Sequence, residues 1–202
     1  MGQYYAPVVK DNKNNFEHYY SWDYDNGLKL MEHSYIGNNF VESIVKRLLD
    51  NPMRIAWVGD YADEKDFKQN QVHNDLQDFI DMYDDDNEIK YKKALKEPIN
   101  DMENSLNLFM INHTKKLYIN MWEYVLNNLV LDKKKYNYGD CVHPLPLLTA
   151  LGNGKGGGDY RGINKHLVGI WAGDLIEFVN RETWYNKYRK DYIEFEPLFR
   201  EE

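Results

Sequence analysis

The stretch NNFVESIVKRLLDNPMRIAWVGD, residues 38–60, decides the fold of this 202-residue chain. Four apolar residues in its first half recur three or four positions apart, as on one face of a helix: Phe40, Ile44, Val45 and Leu48. Asn38 or Asn39 supplies the side chain that commonly caps a helix start. The spacing therefore predicts a helix over Asn39–Leu49.

The second half of the same stretch predicts a buried strand. Asp50-Asn51-Pro52 ends the helix, because proline restricts the residue before it and cannot continue a helix. Arg54–Val58 is then short and mostly apolar, and Gly59-Asp60 closes it with residues typical of turns.

Outward from this unit, apolar and aromatic runs separated by turn residues predict three β-hairpins. Their expected arms are Gln3–Val9 with Phe16–Tyr24, Leu106–Asn112 with Lys116–Trp122, and His166–Trp171 with Leu175–Val179. The predicted fold class is α+β: a mainly antiparallel sheet of several hairpins with a few packed helices, forming a single domain over residues 1–202.

Further helices are expected at three places, around Leu76 to Tyr83, over Pro144–Leu151 and over Trp184–Tyr192. The segment Tyr124–Leu131 fits either a helix or a strand.

One short pattern occurs twice, because Trp57-Val58-Gly59-Asp60 and Trp171-Ala172-Gly173-Asp174 both place Gly-Asp after an apolar run. Gly-Asp is a common turn pair, so ordinary strand endings explain the repeat.

The net charge of −8 comes from one part of the chain. Residues 60–103 contain 14 acidic residues and six lysines, which account for the whole excess. Phosphate-backbone binding depends on clustered lysine and arginine, so a nucleic-acid partner is not expected. The polarity of residues 64–103 predicts an acidic insertion at the periphery, a surface suited to a basic protein partner.

Cellular location is inferred from what the sequence lacks. Cys141 is the only cysteine, so no intrachain disulfide can form. The N-terminus MGQYY shows no signal-peptide pattern, and no window is apolar over the ~20 residues that a bilayer crossing needs. A cytoplasmic protein without a membrane partner is expected, and the sequence is compatible with an oligomer.

The most site-like segment is rich in glycine, with six of the 13 glycines in residues 152–162. Glycines allow backbone N–H groups to converge on an anion, and Lys155 and Arg161 add positive charge. The run matches neither the P-loop pattern nor the dinucleotide-binding fingerprint, and a purely structural loop is the competing interpretation. The candidate ligand-binding residues are His143, Asn153, Lys155, Gly156, Gly157, Gly158, Asp159, Tyr160, Arg161 and Trp171.

Catalytic alternatives centre on the residues just before this segment. Cys141 and His143 lie two positions apart, which is too little for a recognisable zinc site, so no metal or cofactor is expected. Asp140, His143 and Asp159 are the residues that a hydrolase would use for acid-base work. The plainer interpretation of His143 is a cap on the turn that follows it.

Several motifs together resemble a family of uncharacterised bacterial and phage proteins. They are MGQYY at 1–5, GLKLME at 27–32, GDYAD at 59–63, GNGKGGGDY at 152–160 and WAGD at 171–174. The resemblance covers both ends of the chain and implies a cytoplasmic accessory protein carried by a phage or mobile element. It implies no activity.

Three functions are compatible with these features. The first is non-catalytic binding or sequestration of a small anionic ligand, a nucleotide or nucleotide-derived signal, as in phage anti-defence proteins, with Trp57, Tyr160 or Trp171 stacking on a base. The second is an acidic protein-binding inhibitor or immunity-like module. The third is the hydrolase.

Overall fold

The fold was analysed in a computed structural model that describes residues 2–66, 75–84, 105–129 and 141–200. Most of the acidic segment 64–103 and the candidate Asp140 lie outside these ranges. The described residues form an eight-stranded, mostly antiparallel sheet with helices packed on it, which confirms the α+β prediction.

The strands and helices follow one another in a mixed order. The strands are β1 (Tyr5–Lys10), β2 (Phe16–His18), β3 (Met53–Gly59), β4 (Phe109–Asn112), β5 (Leu117–Asn120), β6 (Ala150–Leu151), β7 (Leu175–Val179) and β8 (Ile193–Glu194). The α-helices are α1 (Leu30–His33), α2 (Asn39–Arg47), α3 (Leu76–Asp84), α4 (Met121–Asn128), α5 (Pro144–Leu148) and α6 (Arg181–Thr183), which continues into a π-helical turn at Trp184–Tyr188. Short 3₁₀ turns cover Ser21–Tyr24, Glu64–Asp66 and Lys165–Leu167.

Strand β3 organises the sheet, whose order is β2-β1-β3-β7-β4-β5-β8. One edge of β3 pairs with β1 in an antiparallel register from Arg54 to Gly59. The other edge is shared, because β7 pairs antiparallel at Met53 and Arg54 and β6 pairs parallel at Trp57 and Val58. The predicted hairpins β1–β2 and β4–β5 are both confirmed.

Helix α2 covers one face of the sheet, as its sequence predicts. The Asn38 side chain accepts hydrogen bonds from the N–H groups of Phe40 and Val41 and so caps the helix. Phe40 and Ile44 are fully buried in the main core together with Trp57 of β3. Burial of such side chains stabilises the fold by about 1.5–3 kcal/mol each.

Helix α3 covers the opposite face and belongs to the acidic segment. Leu76, Phe79 and Ile80 are buried in a second cluster with residues of β1 and β3. Asp75, at its start, pairs with Lys10 and Arg54 on those strands. The described part of the acidic segment is therefore packed against the sheet, because its apolar residues form one helical face.

The third predicted hairpin is wrong. Leu175–Val179 is a strand, but it pairs with β3 and β4 and not with His166–Trp171, which forms a 3₁₀ turn and further turns. Gly169 and Gly173 adopt positive φ angles of 80° and 75°, which turn the chain where the hairpin needs extended backbone. The second Trp-x-Gly-Asp pattern accordingly precedes a strand, whereas the first ends one.

The remaining expectations were met in part. The Pro144 helix ends at Leu148 and gives way to β6, and the helix predicted over Trp184–Tyr192 is present as a π-helical turn over Trp184–Tyr188. The ambiguous segment at Tyr124 is helical to Asn128. No helix in the described ranges has the length and apolarity needed to cross a bilayer.

The buried face of α2 provides a direct test of this architecture. Ile44 is 0% exposed, so Ile44→Asp buries an unpaired charge and should leave little folded protein, whereas Ile44→Val should cost about 0.5–1.5 kcal/mol. Circular dichroism and thermal melting measure both effects. A cooperatively melting Ile44→Asp variant of normal stability would contradict the assignment of α2 to the core.

Glu42 on the same helix predicts how stability changes with pH. Burial raises the pKa of Glu42, against the opposing hydrogen bonds from Ser105 and the N–H of Gly37. A carboxyl with a raised pKa in the folded state stabilises the fold at low pH, and this contribution is lost as pH rises through the folded-state pKa. The free energy of unfolding of the wild type should therefore fall, relative to Glu42→Gln, between acidic and neutral pH.

Chemical denaturation of both proteins across that pH range measures the difference. Other groups titrate equally in the two proteins, so subtraction isolates Glu42. Glutamine keeps an oxygen acceptor for Gly37 and an amide donor for Ser105, which makes it the matched substitution. A difference that stays constant with pH would show that Glu42 does not titrate in this way.

Candidate functional site

The glycine-rich loop begins where two parallel strands end. Strand β6 lies parallel to β3 through the pairs Trp57–Ala150 and Val58–Leu151. Gly152 therefore leaves the sheet at the carboxyl end of β3, beside the first residue of β1, Tyr5. Strand β6, which has only two residues, leads directly into the loop.

The loop is closed by its own side chains. The N–H of Gly156 donates to Oδ2 of Asp159 at 2.7 Å, and the N–H of Lys155 donates to Oδ1 of Asn153 at 2.8 Å. Two of the backbone donors that the sequence suggested for an external anion are thus already occupied. Asp159 therefore holds the loop closed.

Close packing explains four of the six glycines, because a Cβ on Gly152 would lie 2.5 Å from the hydroxyl of Tyr5 and a Cβ on Gly158 would lie 2.5 Å from Cδ of Lys29. A Cβ on Gly156 would overlap the backbone and Cβ of Gln3, and a Cβ on Gly162 would overlap the carbonyl group of Arg200. In contrast, Gly154 and Gly157 have no atom within 4 Å of the Cβ position. The structural interpretation therefore accounts for Gly152, Gly156, Gly158 and Gly162, and the open side of the loop lies at Gly154 and Gly157.

A pocket of about 270 Å³ lies against the inner side of this loop. Its walls combine the ends of β1 and β6, the loop itself and the 3₁₀ turn that follows: Tyr5, Leu30, Ala150, Leu151, Gly152, Asn153, Gly154, Asp159, Tyr160, Lys165 and Val168. The volume is close to the lower end of the range usual for small-molecule sites. Lys165 is its only basic residue.

Polar groups around the hydroxyl of Tyr5 form the buried end of the site. This hydroxyl donates to Oε1 of Gln3 at 2.9 Å, and Gln3 is fully buried. Within the described residues, Nε2 of Gln3 and Oδ1 of Asp159 are buried atoms without a hydrogen-bond partner. Other buried atoms of the described residues also lack a partner, among them Nε1 of Trp171 and both ring nitrogens of His18, but Asp159 is the residue of this set that lines the pocket, where water or a ligand can bond to it.

Asp159 has electrostatics suited to such a role. Burial raises the pKa of Asp159, and the opposing effects of the Gly156 hydrogen bond, Tyr5 and Arg161 do not cancel this rise. Its side chain therefore holds a proton more readily than an exposed carboxyl does. It can donate a hydrogen bond when protonated and accept one when ionised.

The sequence-predicted residues separate into two groups. Asn153, Asp159 and Tyr160 line the pocket, whereas Lys155 and Arg161 are exposed and do not. Lys165 does line the pocket and was missed by sequence reasoning, because it follows the glycine-rich segment and no motif marks it.

Tyr160 anchors the loop as well as lining the pocket. Its hydroxyl lies 2.8 Å from the carbonyl oxygens of both Ile163 and Arg200, and its ring packs edge-on against Phe199. The C-terminal residues thus hold one wall of the pocket in place.

His143 is a structural residue and not part of this pocket. It is fully buried, and its Nδ1 accepts a hydrogen bond from the N–H of Leu145 at 3.1 Å, so it caps α5. Burial lowers the pKa of His143 to about 3. The prediction of a ligand-binding His143 is corrected, and the capping interpretation is confirmed.

Two of the three aromatic residues expected to stack on a base lie in the core and not in the pocket. Trp57 and Trp171 are both 0% exposed and belong to the main core. Nε1 of Trp57 donates to Nε2 of His33 at 2.9 Å, which fixes the indole inside the protein. Of the three candidates, Tyr160 alone lines the pocket, because the apolar surfaces of the two tryptophans are used by the core.

The hydrolase arrangement is not supported by these positions. A buried histidine with a pKa of about 3 is neutral at physiological pH and has no access to solvent. Burial raises the pKa of the Cys141 thiol to about 12, so this cysteine is not an activated nucleophile. Asp140 lies outside the described residues.

Two other hollows lie elsewhere on the described surface. One, of about 500 Å³, is bordered by Trp122, Arg181 and Tyr185, and the other, of about 210 Å³, is bordered by Glu123, Glu194 and Glu196. These three glutamates are exposed and close enough to share a cation. Neither hollow is lined by an unpaired buried polar atom, so the loop pocket is the better candidate site.

Comparisons of the chain with protein-family models, with curated proteins and with solved structures give no match.

The hydrogen bond between Asp159 and Gly156 predicts a measurable effect on the loop. Asp159→Ala leaves the buried N–H of Gly156 without an acceptor, which should cost about 1–3 kcal/mol and open the loop to proteases. Asp159→Asn keeps an oxygen acceptor and serves as the matched control. Thermal melting and limited proteolysis followed by mass spectrometry report the two effects. Equal cleavage of both variants and the wild type within 152–162 would show that Asp159 does not close the loop.

Proposed function

We propose that this protein binds a small anionic ligand, a nucleotide or nucleotide-derived signal, without catalysis. The observation that carries the proposal is the pocket beside Gly152–Gly162, where the unpaired Oδ1 of Asp159 and the side chains of Asn153 and Lys165 come together. A small number of polar groups that converge on a partly apolar wall is typical of a site that orients one ligand.

The charge of the ligand follows from Lys165. Residues 60–103 account for the whole net charge of −8, so the rest of the chain, including the loop pocket, has no overall charge and an anionic ligand depends on a local positive group. Lys165 supplies that charge at the pocket, while Lys155 and Arg161 stay in solvent. The charged end of the ligand is therefore placed at Lys165, a change from the sequence-based choice of Lys155 and Arg161.

The uncharged end of the ligand meets Asp159 and Tyr160. Asp159 is able to bond a hydroxyl group, as on a ribose, and Tyr160 offers the aromatic wall on which a base packs. The described pocket contains no activated nucleophile or exposed histidine. Sequestration requires only that the ligand is held, and this arrangement suits it.

The resemblance to bacterial and phage proteins suggests the setting. A phage protein that sequesters a signalling nucleotide in the cytoplasm would protect the phage from a defence system that depends on that signal. We propose anti-defence sequestration as the biological role of the pocket, by functional analogy alone.

Calorimetry against a panel of nucleotides, including cyclic and NAD-derived species, tests this proposal. At least one panel member should bind the wild type, and Lys165→Ala should weaken it about tenfold to a hundredfold, since a charge-assisted hydrogen bond contributes ~1.5–3 kcal/mol. Melting temperature should not change, because Lys165 is exposed.

Lys155→Ala is the matched control, being the same substitution at an exposed loop lysine that does not line the pocket. It should bind like the wild type. If Lys155→Ala or Arg161→Ala bound the ligand more weakly while Lys165→Ala bound it as the wild type does, the anion would lie on the outer side of the loop. If no panel member binds, the acidic protein-binding alternative becomes the leading hypothesis.

A further inference from the structure

A carboxylate, an imidazole and a phenol form a hydrogen-bonded chain far from the glycine-rich loop in sequence. Oε2 of Glu177 lies 2.8 Å from Nε2 of His113, and Nδ1 of the same ring lies 2.7 Å from the hydroxyl of Tyr192. Strand β7 supplies Glu177, the β4–β5 turn supplies His113, and the segment after the π-helical turn supplies Tyr192. No sequence motif marks this cluster, because Glu177 and Tyr192 lie 64 and 79 residues from His113 along the chain.

The hydrogen bonds determine where the protons lie. Burial acts to raise the pKa of Glu177, but hydrogen bonds from His113 and Tyr188 outweigh it and hold this pKa below its ordinary value. An ionised carboxylate only accepts, so the neutral form of the His113 ring is the tautomer with its proton on Nε2. Nδ1 is then the acceptor for the hydroxyl proton of Tyr192. This is the order of groups that activates a hydroxyl nucleophile: carboxylate, imidazole, hydroxyl.

Positive charges surround the two tyrosines of the cluster. Nζ of Lys116 donates to the hydroxyl oxygen of Tyr192 at 3.2 Å and lies 4.8 Å from its ring centre. Nζ of Lys187 lies 4.8 Å from the ring centre of Tyr188, whose own ring is 5.4 Å from that of Tyr192. Negative charge that develops on the phenol oxygen is therefore stabilised by neighbouring ammonium groups.

Access to solvent differs along the chain of groups. Glu177 is buried and the His113 side chain is 13% exposed, whereas Tyr192 is half-buried and Lys116 is exposed. The carboxylate and the imidazole are thus held inside while the phenol oxygen stands at the solvent end. Tyr188 lies in a π-helical turn, a rare conformation found disproportionately at functional sites.

We propose that Tyr192 is a covalent modification site that accepts an acyl group from an activated, anionic acyl donor such as an acyl phosphate. The phenol oxygen forms a bond to the carbonyl carbon, and the bond between that carbon and the leaving-group oxygen breaks. The phenol proton passes to Nδ1 of His113, which becomes an imidazolium paired with Glu177. The leaving group departs as phosphate with its electron pair, and His113 returns the proton to it or to solvent.

The chemistry of the cluster selects this donor class. A phenol oxygen activated by a general base is a hard nucleophile that reacts at carbonyl carbon, and such a base typically contributes 10²–10⁴-fold in rate. Lys116 and Lys187 attract a donor that carries negative charge. This inference is independent of the loop pocket.

Acetyl phosphate and the neutral ester p-nitrophenyl acetate are the probes, with acylation measured by peptide mass spectrometry after an acid quench. Tyr185 is an internal control, since it is 46% exposed and has Arg181 and Arg189 over its ring, but no described imidazole bonds to it. Tyr192 should be acetylated by acetyl phosphate at least about tenfold faster than Tyr185. His113→Gln should slow the reaction of Tyr192 about a hundredfold.

Lys116→Gln should reduce the preference of Tyr192 for acetyl phosphate over the neutral ester and leave the neutral reaction less affected. Melting temperatures confirm that each variant folds, and Glu177→Gln replaces His113→Gln if the latter does not. Acetylation of Tyr192 no faster than of Tyr185 would overturn the proposal, as would a folded His113 or Glu177 variant that reacts at the wild-type rate. Faster reaction with the neutral ester than with acetyl phosphate would overturn the anionic donor class.

Discussion

Burial of β3 on both of its faces is the constraint on which the rest of this structure depends. Ile55 and Trp57 point into the main core under α2, while Ala56 and Val58 point into the cluster under α3. A strand that is apolar on both faces cannot be left with either face in water, so layers must form on both sides. The acidic segment provides one of those layers, which is why its described helix packs against the sheet despite the surrounding charge.

His33 shows how a polar side chain is accommodated in the core beside β3. His33 is fully buried beside Trp57, and burial lowers the pKa of His33 to about 4. Its Nε2 accepts from the indole N–H of Trp57, and its Nδ1 donates to the carbonyl of Gly27 at 3.0 Å. Both ring nitrogens of a neutral imidazole are thus satisfied. The core does not meet this requirement everywhere, because Nε1 of Trp171 and both ring nitrogens of His18 are also buried without a partner among the described residues; Asp159 differs from these residues in lining the loop pocket.

Local patterns in the sequence predicted helices and hairpins between neighbouring segments, but not the pairing of strands that are distant in the chain. The α2 helix and the hairpin β1–β2 follow from spacing and turn residues between neighbours in the chain. The pairing of β3 with β7 joins positions more than a hundred residues apart, and nothing in the spacing of His166–Trp171 excludes the wrong hairpin. The glycine-rich loop was found from composition, but its donors are used internally, and Lys165 entered the site only through the tertiary fold.

The closed loop changes what a ligand must provide. A flexible glycine loop would have to be ordered on binding, and that loss of conformational entropy would oppose affinity. Here the carboxylate of Asp159 already organises the loop through the N–H of Gly156, while Tyr160 fixes it to the C-terminal residues. Because Asp159 accepts this hydrogen bond, the pocket is already organised before a ligand binds. Selectivity must then come from groups outside the glycine run, namely Lys165 at one end and the unpaired oxygen of Asp159 at the other.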